Sequence, residues 1–410
     1  MIIALKKNIL KIYVIVFFEA FMVIVPVMVP LLQSHGLSMS QVLYTQAVFA
    51  LAIAICEVPA GYLADLWGRK NTLLLGTSFA AVGYGWLQFS SSFDDFIIFE
   101  ILLGIAMSLT SGVDLALLYD SNAALQRLQK GHADDSGKVI GRLVTIASIA
   151  EATGGLLASA LVLYSLQSIP LAQAIIGLLP LLVTMTLVEP PRQKSEGRHR
   201  DNANLMFAMV RDNRLILWTI IGLIAFGLAC IYAFWLHQKY WELQAIPIGW
   251  YGLIWAAYCL ARATGAHVAV QLERGLGIQR LLPLLALLPI AGYLGMALTN
   301  SWLGVLLGML FPVSRGIMAV VLYSALNSRL PSAFRATINS MVNLGMRAIF
   351  ILTGPLLGYL ADAEGVIATQ LMLAGLFLPI LGIVAASLLR AIKQDELLTE
   401  KLELEISKDV

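Results

Sequence analysis

Charge is what this chain has least of. Lys, Arg, Asp and Glu make up 13% of its 410 residues, about half the share carried by an ordinary soluble domain. A chain so poor in charge cannot cover a water-facing surface, and a soluble globule is excluded. Cysteine is scarce too. Cys56, Cys230 and Cys259 are the only three, and each falls inside an apolar run, so they read as small hydrophobes and not as a disulfide or metal set. Long polar stretches are missing: the longest runs from Pro190 to about Arg214, too short for a soluble domain. The net charge of +2 is too small to suggest a nucleic-acid partner. There is no Walker-type G-x-x-x-x-G-K-[ST] loop, no nucleophile with a base, and no His/Cys metal spacing. An enzyme, an ATP-driven pump and a resident cofactor are therefore not expected. The basic start, MIIALKKNILKIY, runs into a long apolar stretch without a small-residue cleavage site, so a retained first span is expected instead of a cleaved signal peptide.

Apolar residues are what fill the chain, at 59% of the total and a mean hydropathy of +0.82. They come in runs long enough to cross a bilayer, which takes roughly 20 residues per helix. Backbone groups in hydrocarbon must be paired internally, which leaves helices or a closed barrel. The runs do not alternate at period two, so helices are expected. Twelve spans are placed at residues 12–32, 41–63, 72–90, 95–118, 143–165, 169–189, 215–237, 249–271, 281–299, 302–326, 337–360 and 366–389. With the N-terminus inside, 23 of the 27 Lys and Arg fall in cytoplasmic segments and only Lys239 falls outside. That bias predicts both termini in the cytoplasm and an even number of spans. The fold class expected is an all-α integral membrane protein of twelve transmembrane helices in two pseudo-symmetric six-helix bundles. The bundles are placed at 1–189 and 215–390, with a cytoplasmic linker at 190–214 and a cytoplasmic tail at 391–410. Within the linker, LMFAMV is a candidate helix on the inner leaflet, and the tail from Leu397 reads as a short charged helix or a disordered end. The halves echo each other weakly: Gly112-Val-Asp114 through Tyr119 against Gly316-Ile-Met318 through Tyr323, and Thr145-Ile-Ala-Ser148 against Thr337-Ile-Asn-Ser340. Repeated halves around a central site are a common transporter design.

Between spans two and three the chain reads Gly61-Tyr-Leu-Ala-Asp65-Leu-Trp-Gly68-Arg69-Lys70. This resembles the G-x-x-x-D-x-x-G-R-K loop of the major facilitator superfamily, and with six-plus-six spans the resemblance covers nearly the whole chain. Gly61 suits a close helix approach. Asp65 is placed to face a helix N-terminus, and Arg69 to pair with an acid such as Asp120. The resemblance implies that this cluster holds the cytoplasmic side closed while the cavity faces outward. Leu66 and Asn71 stand where the family often has basic residues. The second-half copy, Glu273-Arg274-Gly-Leu-Gly277-Ile-Gln-Arg280, lacks the Gly-x-x-x-Asp. Drug antiporters of the superfamily often carry an Arg in span four, four residues before a Gly, and a G-x-x-x-G-P-x-x-G-G run in span five. Here Glu100 precedes Gly104, and span five reads Ile149-Ala-Glu151-Ala-Thr-Gly154-Gly155 without proline.

Charges inside a membrane cost about 2.5–3.5 kcal/mol each on insertion scales and are expected to face the interior. Five acids qualify, all in the first half: Glu19, Glu57, Glu100, Asp114 and Glu151. Three bases qualify, all in the second: Arg262, Arg315 and Arg347. Helical spacing places Glu100, Gly104, Ser108, Ser111 and Asp114 on one face of span four. It likewise groups Asn339, Asn343 and Arg347 in span eleven, and Tyr251, Trp255, Tyr258 and Arg262 in span eight. A central cavity is expected, acidic on one wall and basic and aromatic on the other, with ion pairing across helices as the alternative, above all for Glu57, Glu151 and Arg262. The resemblance assigns spans one, four, seven and ten to the cavity, and so Glu19, Asp114 and Arg315. Glu100 stands in the outer third of span four as a candidate outer gate or proton entry. Tyr232, Trp235, Tyr240 and Trp241 read as an interfacial belt, with His237 as a polar interface residue.

These features predict a proton-coupled secondary transporter of a small organic solute, working by alternating access and exporting amphipathic compounds or metabolites by proton antiport. The proton gradient is the energy source, Asp114 with Glu19 carries the proton, and the protein is a monomer in the cell (inner) membrane. The alternatives are a proton symporter importing an anionic or zwitterionic metabolite or siderophore, which three arginines would suit, and a non-transporting membrane receptor or scaffold.

Overall fold

A computed structural model describes residues 2–129, 136–190, 208–299 and 301–406. Among the described residues all regular structure is helical. Helix α1 (Ile2–Ala20) unwinds after Ala20, passes through a 3-10 turn at Val25–Val27 and resumes as α2 (Met28–Ser34). Then follow α3 (Met39–Trp67), α4 (Arg69–Leu87), α5 (Phe93–Thr110), α6 (Val113–Gln129), α7 (Ser136–Val162) and α8 (Ser168–Met185). Beyond the linker lie α9 (Arg214–Leu243), α10 (Tyr251–Leu276), α11 (Ile278–Thr299), α12 (Trp302–Gly308), α13 (Leu310–Arg329), α14 (Ser332–Ala363) and α15 (Gly365–Ile406). Most of the linker, with half of the LMFAMV segment, lies outside the described residues.

Eleven helical segments among the described residues are long and apolar enough to cross a membrane. The chain is a multi-pass membrane protein. The expected span at 72–90 is helical, as α4, but falls short of the others. Its first turn carries Arg69, Lys70 and Asn71, and its middle carries Gly76, Thr77 and Ser78. The expected tail is not a separate short helix. No glycine or proline interrupts the chain after Gly382, and α15 runs unbroken from Gly365 to Ile406.

Local sequence explains the helix ends. Ser38 and Gln41 form a reciprocal capping box at the start of α3, and Ser92 and Asp95 form one at the start of α5, each satisfying two backbone donors that would otherwise be orphaned. Three expected spans are interrupted, span ten only briefly at Met309 between α12 and α13. In span one the break precedes Pro26, which has no N–H to continue the ladder. In span four Gly112 sits at φ +78°, a left-handed conformation that costs an L side chain about 1–2 kcal/mol, so α5 stops and α6 starts afresh.

The described chain divides into two compact units. The first comprises Met1–Lys194, Trp241–Cys259 and Arg347–Ala363, and the second Ser195–Tyr240, Leu260–Met346 and Glu364–Val410. In the first unit, Ile12, Ile15 and Val16 of α1 pack with Leu73 of α4, Leu117 of α6 and Leu143 of α7. In the second, Tyr293 of α11 donates to the Ala229 carbonyl at 2.6 Å, and its ring meets Phe311 edge-on at 4.7 Å. There α10 and α13 touch backbone to backbone: a Cβ on Gly316 would fall on the Arg262 carbonyl oxygen. Tyr232, Trp235, Tyr240, Trp241 and His237 are all buried, which corrects the reading of an interfacial belt. The Tyr240 hydroxyl, for example, donates to the Ser301 carbonyl at 3.1 Å.

Candidate solute-binding site

The breaks in spans one and four meet a cavity of about 420 Å³ inside the first unit. Glu19 and Met22 bring the α1 break to its wall, and Ser111, Gly112 and Asp114 bring the α5–α6 break. By position Glu19, Asp114 and Glu151 all lie near the middle of their apolar segments, Leu5–Ser34, Phe93–Leu125 and Gly141–Val162. Irregular backbone at that depth is tolerated where it is buried in protein or lines a cavity. Gln173 of α8 shows how the freed donors are held. Its side-chain oxygen accepts from Val23 N at 2.8 Å and Ile24 N at 3.3 Å. Sequence spacing gave no signal for Gln173, because the groups it serves lie about 150 residues away.

The three acids lining the cavity are held in different ways. Asp114 stands in the first turn of α6, where its carboxyl is hydrogen-bonded by backbone amides and the helix dipole favours a negative charge. Glu151 of α7 accepts a long contact from the Cys259 thiol at 3.7 Å. Glu19 stands at the other kind of helix end, the last turn of α1, where the dipole disfavours an anion. Its Oε1 is buried and has no hydrogen-bond partner among the described residues. Asp114 lies within electrostatic reach of Glu19, and Tyr84 of α4, also on the wall, within reach of both Glu19 and Glu100. No Lys, Arg or His of the described residues lines the cavity.

None of the three expected bases lines this cavity, which lies within the first unit. Arg347 of α14 pairs with Glu57 of α3 at 3.1 Å, so both are committed to each other. Arg315 is exposed on α13. Arg262 is half-buried, with its carbonyl against Gly316. The span-four stripe also divides. Glu100 is 2% exposed and accepts from Gln46 Nε2 at 2.5 Å, Gly104 lies against the α3 backbone at Phe49, and Ser108 bonds back to the Ile105 carbonyl. Only Ser111 and Asp114 of that stripe reach the cavity, because the break at Gly112 turns the chain. The aromatic face of α10 is packed and not open. Tyr251 and Tyr258 set their rings edge-on to Trp241 at 5.1 and 5.7 Å, and Trp255 lies against Gly155 of α7. Asn339 donates to Asn327 Oδ1 at 3.1 Å, and neither it nor Asn343 is on the cavity wall.

In the loop from Gly61 to Lys70 the expected Arg69 pair forms. Arg69 pairs with Asp120 Oδ2 at 2.6 Å and donates to the Ala116 carbonyl as well, which ties the start of α4 to α6. A residue the sequence did not reveal completes the cluster. Glu189 accepts from Arg69 N at 3.0 Å and Lys70 N at 2.8 Å, so its carboxylate covers the N-terminus of α4 from 120 residues away. Gly68 takes φ +110° at the α3–α4 turn, which explains that glycine. Gly61 differs from expectation: a Cβ there would meet nothing within 4 Å, so close helix approach is not its reason. On the far side of the unit, Asp362 of α14 caps α3, accepting from Met39 N at 2.9 Å and Ser40 N at 2.7 Å.

Comparison with known proteins agrees with this architecture. The profile of the Major Facilitator Superfamily matches residues 12–355. An uncharacterized MFS-type transporter of Methanocaldococcus jannaschii is 31% identical over 103 residues, which is 25% of this chain and 27% of that protein. The match therefore spans about a quarter of that relative's length. Among solved structures, a point mutant of the nucleoside transporter NupG superposes with a TM-score of 0.77 at 14% identity, covering 93% of this chain and 99% of that one. A bacterial homolog of the human lysosomal transporter Spinster gives 0.72 at 15% identity, covering 95% and 98%. A D-xylose–proton symporter gives 0.69 at 16% identity, covering 96% and 97%. With the family profile spanning most of its length, the chain belongs to the Major Facilitator Superfamily and is a membrane transporter, not an enzyme.

Proposed function

We propose that this transporter is proton-coupled, that Glu19 and Asp114 carry the proton, and that it exports its solute by antiport across the cell (inner) membrane as a monomer. The observation that carries this reading is the pair of carboxyls lining one cavity with no basic side chain beside them among the described residues. An ionised carboxyl out of water and without a counter-charge is costly. A proton on Glu19 or Asp114 removes that cost, and so does a solute that compensates the charge. When proton and solute satisfy the same group, each displaces the other, which is the logic of exchange. Protonation at this site then biases the equilibrium between inward-open and outward-open states, because the two forms differ in what the cavity must accommodate. The titratable groups facing the pair are Glu151 from α7 and Tyr84 from α4, with Glu100 behind Tyr84. The Arg69–Asp120–Glu189 cluster supports a latch on the side expected to face the cytoplasm. A D-xylose–proton symporter shares the fold, so proton coupling is compatible with it. An anionic solute would find no arginine in this cavity, since none of the three mid-span arginines lines it.

The test is a proteoliposome with a pH dye inside and an imposed pH gradient, challenged with a panel of cationic, neutral and anionic solutes. At least one solute is expected to drive proton flux in the native protein and none in Glu19→Gln. Equal flux in Glu19→Gln sinks the assignment, and no solute-dependent flux in the native protein sinks proton coupling itself.

A further inference from the structure

Resting on the reading that this cavity is the solute site, we infer that the solute it takes is an organic monocation with an apolar body, an amine or quaternary ammonium compound. Three observations converge. First, the wall carries carboxyls and no base among the described residues. Second, Glu19 lines the cavity, and its buried Oε1 has no hydrogen-bond partner among the described residues, so those residues leave this carboxyl incompletely compensated. Third, the remaining wall is mostly apolar and aromatic, with Phe18, Phe49 and Tyr84 contributing rings and only Thr77, Thr110 and Ser111 contributing aliphatic hydroxyls. Aromatic faces attract a weakly hydrated cation, and carboxylates supply its counter-charge.

The same wall argues against an inorganic ion. A hard divalent cation takes six or more oxygen ligands, and among the described residues no group of three His, Cys, Asp or Glu side chains is arranged to hold a metal. Asp114 is already served by backbone amides at the start of α6, and Glu151 by the Cys259 thiol. One underserved carboxyl facing a cavity of about 420 Å³ suits a single positive charge on a bulky body better than a bare ion. An anion would meet three acids and no compensating side chain.

The inference is tested by equilibrium binding to the full-length protein in detergent. The probes are labelled benzyltrimethylammonium, 4-tert-butylbenzoate as a body of similar size and opposite charge, and sodium chloride against potassium chloride. Saturable binding of benzyltrimethylammonium is expected, with none of 4-tert-butylbenzoate. Glu19→Gln is expected to weaken cation binding about tenfold or more, about 1.4 kcal/mol. Asp395→Asn, at the Arg329 pair of the second unit, leaves it unchanged. Because glutamine matches glutamate in shape, a melting curve equal to the native one separates lost binding from lost folding. Three results overturn the inference: no binding of benzyltrimethylammonium, equal or tighter binding of 4-tert-butylbenzoate, or a Glu19-dependent stabilisation by sodium alone. The proton-flux assay does not depend on these probes. Flux driven by a neutral or anionic solute would reject the cation while leaving proton coupling intact.

Discussion

Glu57 and Glu19 are both glutamates within apolar segments of the first unit, and their surroundings differ completely. Glu57 on α3 meets Arg347 of α14 at 3.1 Å. Glu19 on α1 meets a cavity, and its Oε1 has no hydrogen-bond partner among the described residues. The first arrangement is closed: each charge is answered by a group of the chain itself, and the pair joins two helices. The second is open: no described residue answers it. Glu100 falls on the closed side, held by Gln46. Asp114 falls between, stabilised by the α6 N-terminus yet still on the cavity wall. The contrast separates acids paired within the fold from acids on a cavity wall, which the proposed function gives to the solute or the proton, a distinction that charge and hydropathy alone do not make.

The contrast breaks if the two kinds of acid respond alike to neutralisation. Glu57→Gln strands Arg347 in a partly buried site and is expected to cost about 2 kcal/mol, the usual worth of a hydrogen bond to a charged group, read as a lower melting temperature in detergent. Arg347→Met is expected to cost less when Glu57→Gln is already present, since the pair is then gone. Gly112→Ala puts a side chain at φ +78° and is expected to cost about 1–2 kcal/mol, again read from melting, with transport falling as the α5–α6 break is disturbed. Glu19→Gln is expected to change the melting temperature least or to raise it, because it removes an acid that the fold does not compensate. A loss in Glu19→Gln as large as that in Glu57→Gln would place Glu19 among the structural acids.

Much of the architecture was legible in the sequence. Long apolar runs and the Lys/Arg bias marked the spans, and Gly61–Lys70 pointed to the superfamily that the profile shows. The Arg69–Asp120 pair was legible as well, since the loop motif puts a base where an acid one helix away can meet it. What spacing could not show was the break at Gly112. A continuous helix puts Glu100, Ser108 and Asp114 on one face, and the left-handed glycine sends Asp114 to the cavity while Glu100 stays against Gln46. Nor could spacing show Gln173, Glu189 or Asp362, each of which serves backbone donors more than 100 residues away. A sequence also counts charges without saying that Arg347 is already taken by Glu57.

The central claim is that Asp114 and Glu19 couple the solute to the proton. It is tested most directly by reconstituting Asp114→Asn in proteoliposomes with an imposed pH gradient and following a solute that the native protein accumulates against its gradient. The account predicts that uphill accumulation is lost in Asp114→Asn while the reconstituted protein melts as the native one does. Undiminished uphill accumulation would contradict it.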